Sequence, residues 1–197
     1  VDGDGAPLVG VLAIQGDFEA HERVLERLGA RVREVRVAAD LDGLAGLVIP
    51  GGESTTMTLG VEREGLTEPI ATLVRDGLPV LGSCAGLIML DREHLALMDI
   101  RAQRNAFGRQ VRSFETDLGL AGIYGGPMRA IFIRAPWIAE HGPDVEILAE
   151  IDGHPVAARE GRMLAVAFHS ELAGDDRLHE LLLDWAREFA AVAGAVE

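Results

Sequence analysis

Lysine is missing from this chain altogether: all 18 of its basic residues are arginine. That excludes a lysine Schiff base, a lysine-held pyridoxal phosphate and the lysine of a phosphate-binding P-loop. Cysteine is almost missing. With Cys84 as the one thiol, no internal disulfide can form and no multi-cysteine zinc or iron–sulfur site can be built. Such a cysteine is either inert packing or chemistry. There is no H-E-x-x-H and no close pair of histidines along the chain, so no metal site is expected. No G-x-G-x-x-G signature occurs, and no cofactor is expected either. Positive charge is scarce, with 32 acidic residues against 18 basic ones and a net charge of −14. A nucleic-acid binder needs a basic face to displace counterions, so nucleic acid is not an expected partner. No apolar run reaches 18 residues; the longest, Leu78 to Leu90, is broken by Gly82, Ser83, Cys84 and Gly86. A membrane partner is therefore not expected. Val1 to Gly5 is acidic and glycine-rich, which reads as a loose tail (residues 1–7) rather than a secretory leader and predicts a cytoplasmic protein.

What is present points to an α/β fold. At 197 residues and 48% hydrophobic content the chain suits one domain, 1–197, with a loose C-terminal end at 191–197. Leu8 to Ile14 is a continuous apolar run, as expected of a strand buried on both faces. Phe18 to Leu28 has helical periodicity, with Phe18, Val24, Leu25 and Leu28 on one face and Gly29 as a stop. Arg31–Val37, Leu44–Pro50 and Leu78–Leu81 follow as strands, and Thr67–Asp76 as a helix ended by Gly77. This alternation predicts a mostly parallel sheet with helices on both faces. Segments 109–115, 128–134, 145–151, 155–159 and 163–168 read as further strands, forming an antiparallel extension. Arg177 to Ala190 closes the chain as an amphipathic helix.

The sharpest local signal is Gly82-Ser83-Cys84-Ala85-Gly86, between a buried strand and the apolar Leu87 to Leu90. This is the G-x-nucleophile-x-G pattern of a nucleophile elbow. Flanking glycines permit a sharp reversal, and the nucleophile lands at a helix N-terminus, where the dipole favours a thiolate. The N–H of Ala85 would then point where an oxyanion forms. The competing reading is a buried cysteine in a glycine-rich turn. A thiolate needs a base, and the base a partner. His169 and Glu171 end the last predicted strand, where residues two apart face the same side, so both could project toward Cys84. Otherwise His169 is a solvated histidine at a strand end. His21 reads as helix surface and His154 as part of a turn. Pro50 to Thr56 forms a third cluster, a tight loop whose N–H groups could turn toward a ligand, or merely a turn with a Ser or Thr helix cap.

In order along the chain stand Val11 to Asp17, Pro50 to Met57, Gly82 to Ile88, Arg104 to Glu115 (RNAFGRQVRSFE), Ile131 to Pro136 and Phe168 to Leu172. The whole resembles the triad (class I) glutamine amidotransferases, and within them the glutaminase-subunit family of pyridoxal 5′-phosphate synthase. The likeness runs from about Val9 to Leu183, and the Arg-Asn-Ala-Phe-Gly segment separates this family from other triad glutaminases. The resemblance implies a flavodoxin-like three-layer sandwich and hydrolysis of L-glutamine to glutamate and ammonia. Ammonia would pass into a (β/α)₈ synthase subunit within a large hetero-oligomer that makes pyridoxal 5′-phosphate.

It also implies roles. Cys84 would form a glutamyl thioester, His169 would transfer protons and Glu171 would orient it. Gly52 and Ala85 would supply oxyanion donors. Gly52, Glu53, Ser54, Arg104, Ile133 and Arg134 match substrate-binding positions, and Gln15 matches one facing the same crevice and coupling activity to docking. Two departures stand out. The family reads His-Pro-Glu where this chain has His169-Ser170-Glu171, and the stretch between Leu90 and Ile100 is short. Rival readings are a triad glutaminase for another synthase, a flavodoxin-like cysteine hydrolase or stress protein, and a non-catalytic docking subunit with a decayed site.

Overall fold

The structure is a computed structural model describing residues 5–107 and 113–193. Strand β1 (Leu8–Leu12) leads to helix α1 (Phe18–Arg27), β2 (Arg31–Val35), β3 (Gly46–Ile49), α2 (Ser54–Arg63), α3 (Thr67–Arg75), β4 (Val80–Ser83) and α4 (Ala85–Leu90). Seven further strands follow: β5 (Ile100–Gln103), β6 (Ser113–Leu118), β7 (Met128–Ile133), β8 (Trp137–His141), β9 (Glu146–Ile151), β10 (His154–Glu160) and β11 (Met163–Val166). Helix α5 (Arg177–Ala193) comes last. Residues 191–193, expected in a loose tail, are its final turn.

The main sheet has the order β2-β1-β3-β4-β11-β10-β9. Its first five strands are parallel, and β10 and β9 extend it antiparallel. This is the flavodoxin-like order. The parallel strands are apolar throughout because both their faces are covered: Val9, Val11, Leu12, Leu47, Val48, Ile49, Val80 and Leu81 are fully buried. Edge strand β2 instead exposes Arg31 and Glu34, charges that discourage pairing with another chain.

Strand alternation shows the three layers. Ser83 Oγ lies 3.0 Å from His21 Nε2 of α1, and α1 meets α5 through His21 and His179. The neighbouring Gly82 faces the other way, where a Cβ would lie 2.7 Å from the carbonyl oxygen of Gly86 in α4. Hence α1 and α5 cover one face and α4 the other, with α2 outside α4 through Thr58 and Met89, 3.4 Å apart. Helix α5 is held by Leu178, Leu182, Leu183 and Ala186, all buried. Each such leucine contributes about 1.5–3 kcal/mol relative to an exposed one.

Two expectations need correction, and a third lies mostly beyond the described residues. The 163–168 segment gives β11, which is parallel to β4 rather than part of the antiparallel extension. Strands β6 and β7, expected within the antiparallel extension, form a separate two-stranded sheet, and so do β5 and β8, which are not legible in the sequence. The expected strand at 109–115 falls largely outside the described residues, and β6 begins at Ser113. The short stretch after Leu90 closes on its own bonds. Buried Asp91 accepts from the amides of Glu93 and Ala102 and pairs with His94, while Met98 N–H reaches Leu90 O. No helix among the described residues is long and apolar enough to cross a membrane.

Gly86 allows α4 to lie directly on β3, because a Cβ there would be driven into the carbonyl oxygen of Ile49. Gly86→Ala is expected to lower stability by about 1–3 kcal/mol, measured as a fall in denaturant midpoint. An unchanged midpoint would show that α4 can lift off the sheet freely.

Candidate active site

The switch in strand order lies between β1 and β3, and ligands of such sheets bind beyond the carboxyl ends of the strands there. Three loops converge at that end. After β1, Gln15 Oε1 accepts from the amide of Glu53 at 2.6 Å. After β3, Gly51 comes so close to two distant parts of the chain that a Cβ would lie 3.2 Å from His169 Nδ1 and 3.4 Å from Cys84 Cβ. After β4, the chain reverses at Cys84.

Cys84 has φ 51° and ψ −104°, a backbone state that costs a non-glycine residue about 1–3 kcal/mol. Its N–H is anchored to Val166 O at 2.8 Å. The thiol is buried, and its Sγ lies 3.9 Å from the carbonyl oxygen of Ile133. His169 stands beside it. Its Nδ1–H donates to Glu171 Oε1 at 2.6 Å, which leaves Nε2 for the sulfur. His169 and Glu171 are 8% and 9% exposed, so this pair works largely out of water.

Burial opposes charge on His169, yet its hydrogen bonds to Cys84 and Glu171 prevail and raise its pKa to about 10. Burial likewise pushes Glu171 up, but the imidazoles of His21 and His169 outweigh it, and the carboxyl stays below its ordinary value. A carboxylate-held imidazole beside a cysteine sulfur is the arrangement in which a base can activate a thiol.

The structure brings His169 and Glu171 together, though not by the means expected. β11 ends at Val166, and Glu171 lies inside a 3₁₀ turn, Ser170–Leu172, which His169 caps. A tight turn, not strand alternation, folds the carboxylate back onto the imidazole.

The remaining predicted residues mostly line one cleft of about 530 Å³ including its open mouth. Gly52, Glu53, Ser54, Cys84, Ala85, Arg104, Ile133 and Arg134 all border it, joined by Ile88, Asn105 and Pro136, which sequence reasoning did not single out. Glu53 also caps α2, accepting from the amides of Thr55 and Thr56. With the Thr56 bonds as the main cause, its pKa falls to about 2. Arg104 is engaged with Glu53 at 2.8 Å and Thr55 at 3.0 Å. The Ser54 hydroxyl is buried with no hydrogen-bond partner among the described residues.

Two histidines were misread. His154 belongs to β10 and stacks on Trp137 with ring centroids 3.6 Å apart. His21 is fully buried, 3.5 Å from Glu171 through Nε2 and Oε2. Its signal was in the sequence: it lies three residues after Phe18 and three before Val24, on the apolar stripe itself.

Two outcomes follow from this geometry. Glu171→Gln removes the carboxylate that helps raise the His169 pKa. The alkaline limb of kcat/KM for amide hydrolysis should move to lower pH than in the unaltered chain, with a rate loss of about 10²–10⁴-fold. A limb that stays in place would mean that Glu171 does not hold the imidazolium. Ser170 opens the 3₁₀ turn after an extended His169, where proline fits, and its buried hydroxyl has no partner among the described residues. Ser170→Pro should stabilise by about 0.4–1 kcal/mol in thermal unfolding; a loss would show that the N–H of Ser170 is in use.

Residues 11–188 match the SNO glutamine amidotransferase family. The chain is 49% identical to "Pyridoxal 5′-phosphate synthase subunit PdxT" of Rhodococcus opacus (strain B4), covering 92% of this chain and 98% of that protein. It is 50% identical to the protein of that name from Mycolicibacterium vanbaalenii, covering 90% and 97%. A solved structure described as "Crystal structure of glutamine amidotransferase" superimposes with a TM-score of 0.85 at 43% identity, over 90% of this chain and 98% of that one. An elbow cysteine paired with a carboxylate-held histidine, on this fold and with these relatives, leads to one conclusion: the chain belongs to the SNO glutamine amidotransferase family.

Proposed function

We propose that Cys84, His169 and Glu171 are the triad with which this chain, a glutaminase that supplies ammonia for pyridoxal 5′-phosphate synthesis, hydrolyses L-glutamine. The observation carrying this assignment is the buried imidazole of His169, held by Glu171 at 2.6 Å beside the sulfur of a strained elbow. The Cys84 thiolate attacks the side-chain amide carbon of glutamine. Negative charge moves to the amide oxygen, toward the N–H groups of Ala85 and Gly52. His169 Nε2 gives its proton to the departing nitrogen, which leaves as ammonia, and a glutamyl thioester remains. Neutral His169 then takes a proton from water; the hydroxide displaces the thiolate, and glutamate is released. No cofactor takes part in this sequence.

Substrate would lie in the cleft bordered by Gly52, Glu53, Ser54, Arg104, Ile133 and Arg134. Arg104 is already tied to Glu53, so Arg134, at the cleft mouth with φ 47°, is the better candidate for the α-carboxylate. Gln15 steadies the Glu53 amide at the loop where a docked partner would act. That partner is a (β/α)₈ synthase subunit, in a large cytoplasmic hetero-oligomer to which this chain contributes one glutaminase domain. The family match and the curated relatives favour this reading over a stress-protein-like hydrolase.

Cys84→Ala should abolish glutamine-dependent synthesis by the assembled complex while leaving synthesis from added ammonium intact, because the later chemistry belongs to the partner. Loss of both would locate the damage in assembly, and retention of glutamine-dependent synthesis would remove Cys84 from the mechanism.

A further inference from the structure

We infer that His21 and His179 form a buried two-imidazole strut that fixes Glu171 through its second carboxylate oxygen, making His21 a positioning residue for glutamine hydrolysis. This rests on the triad reading above and extends it one layer beneath the catalytic groups.

Glu171 spends only Oε1 on His169. Its Oε2 is buried and makes no hydrogen bond of ordinary geometry among the described residues; the group facing it is His21 Nε2, at 3.5 Å. The same nitrogen lies 3.0 Å from Ser83 Oγ, one residue before the nucleophile. On its far side His21 Nδ1 lies 2.9 Å from His179 Nε2. Both rings are fully buried. Four elements therefore meet at one point: α1, α5, the end of β4 and the 3₁₀ turn after β11.

Proton counting selects one arrangement. Burial lowers the pKa of His21, and that of His179 falls to about 3, so both rings are neutral. One of the two facing nitrogens must then carry the shared hydrogen. If His21 Nδ1 carried it, the bare lone pair of His21 Nε2 would face the Glu171 carboxylate. His179 would also hold a buried Nδ1–H with no acceptor, since that atom has no partner among the described residues. The reverse arrangement avoids both faults. His179 Nε2–H donates to His21 Nδ1, and His21 Nε2–H is shared between Ser83 Oγ and Glu171 Oε2. Only a lone pair on His179 Nδ1 is left over, which is easier to bury than an unpaired donor. Polarity thus runs one way, from α5 through α1 to the carboxylate, then to His169 and the sulfur.

An apolar pair would fill this space without unsatisfied polar atoms, so packing alone does not account for two histidines here. A second hold on the carboxylate does. With one oxygen fixed, Glu171 can swing about its bond to His169; with both engaged, the imidazole is aimed. The groups facing His21 are Glu171, His169, His179, Ser83 and, at longer range, Asp17. Of these, Glu171 answers to its loss, because a neutral N–H facing Oε2 favours the carboxylate over the acid.

The test uses the full chain assembled with its (β/α)₈ synthase. His21→Leu should lower kcat for glutamine roughly 10–100-fold with KM little changed, and should move the acid limb of the pH profile upward. His21→Gln, whose amide nitrogen falls near the position of Nε2, should recover most of both. Wild-type kcat and an unmoved acid limb in His21→Leu would overturn the inference. So would a lower rate with an unmoved limb and fewer cysteines titrated by a glutamine analogue, since that is a folding defect. Should His21→Leu not fold, ¹⁵N-histidine NMR of the unaltered chain decides the matter: His21 and His179 are both expected as Nε2–H tautomers, and Nδ1–H on His21 overturns the strut. Cys84→Ala run in parallel separates the two layers, because hydrolysis surviving that change would defeat the triad reading itself, whatever the tautomers.

Discussion

The end of the sheet that carries Cys84 depends on how closely α4 approaches the ends of β3 and β4. Gly82 would place a Cβ 2.7 Å from the Gly86 carbonyl oxygen, and Gly86 would place one on Ile49. Without both glycines the strand and helix separate, and the reversal at Cys84 opens. The positive φ of Cys84 is unfavourable alone. It persists because the surroundings over-determine it: the Cys84 amide is bonded to Val166, and all six residues of α4 are buried. Hydrophobic burial of one short helix is thus converted into an aimed sulfur.

The parallel strands are legible in the sequence for a physical reason. Covered on both faces, they have no polar side to interrupt them, so Leu8 to Leu12 and Gly46 to Ile49 read as unbroken apolar runs. Strands β5 and β8 offer no such signal. Ile100 and Ile138 are their only buried residues, and their pairing joins segments far apart in the chain. The direction of β11 was equally hidden, because whether a strand pairs parallel or antiparallel is decided by the path of the chain and not by its residues.

At the candidate site, the residue types are legible in the sequence while the geometry comes from tertiary structure. Cys84 announces itself through its glycines. His169 and Glu171 are found by their spacing, although a 3₁₀ turn rather than a strand brings them together. His21 and His179 escape notice because histidine is presumed exposed. Yet each occupies a core position: His21 on the stripe of Phe18 and Val24, and His179 three and four residues before the buried Leu182 and Leu183. A polar residue on an apolar stripe must find partners inside the protein, and that rule, applied to α1 and α5, would have pointed from the helices to Glu171.

Three consecutive residues at the end of β4 show how one strand serves all these demands. Alternation sends Gly82 toward α4 and Ser83 toward α1. Cys84 then leaves the strand and rises from its end. Gly82 has no side chain because a helix backbone lies there, and Ser83 has a hydroxyl because His21 Nε2 lies 3.0 Å away. A larger residue at 82 would open the elbow; an apolar one at 83 would leave that imidazole with fewer partners. Packing on one face of the sheet and polarity on the other therefore constrain the same strand end, and Cys84 is held where the two constraints meet.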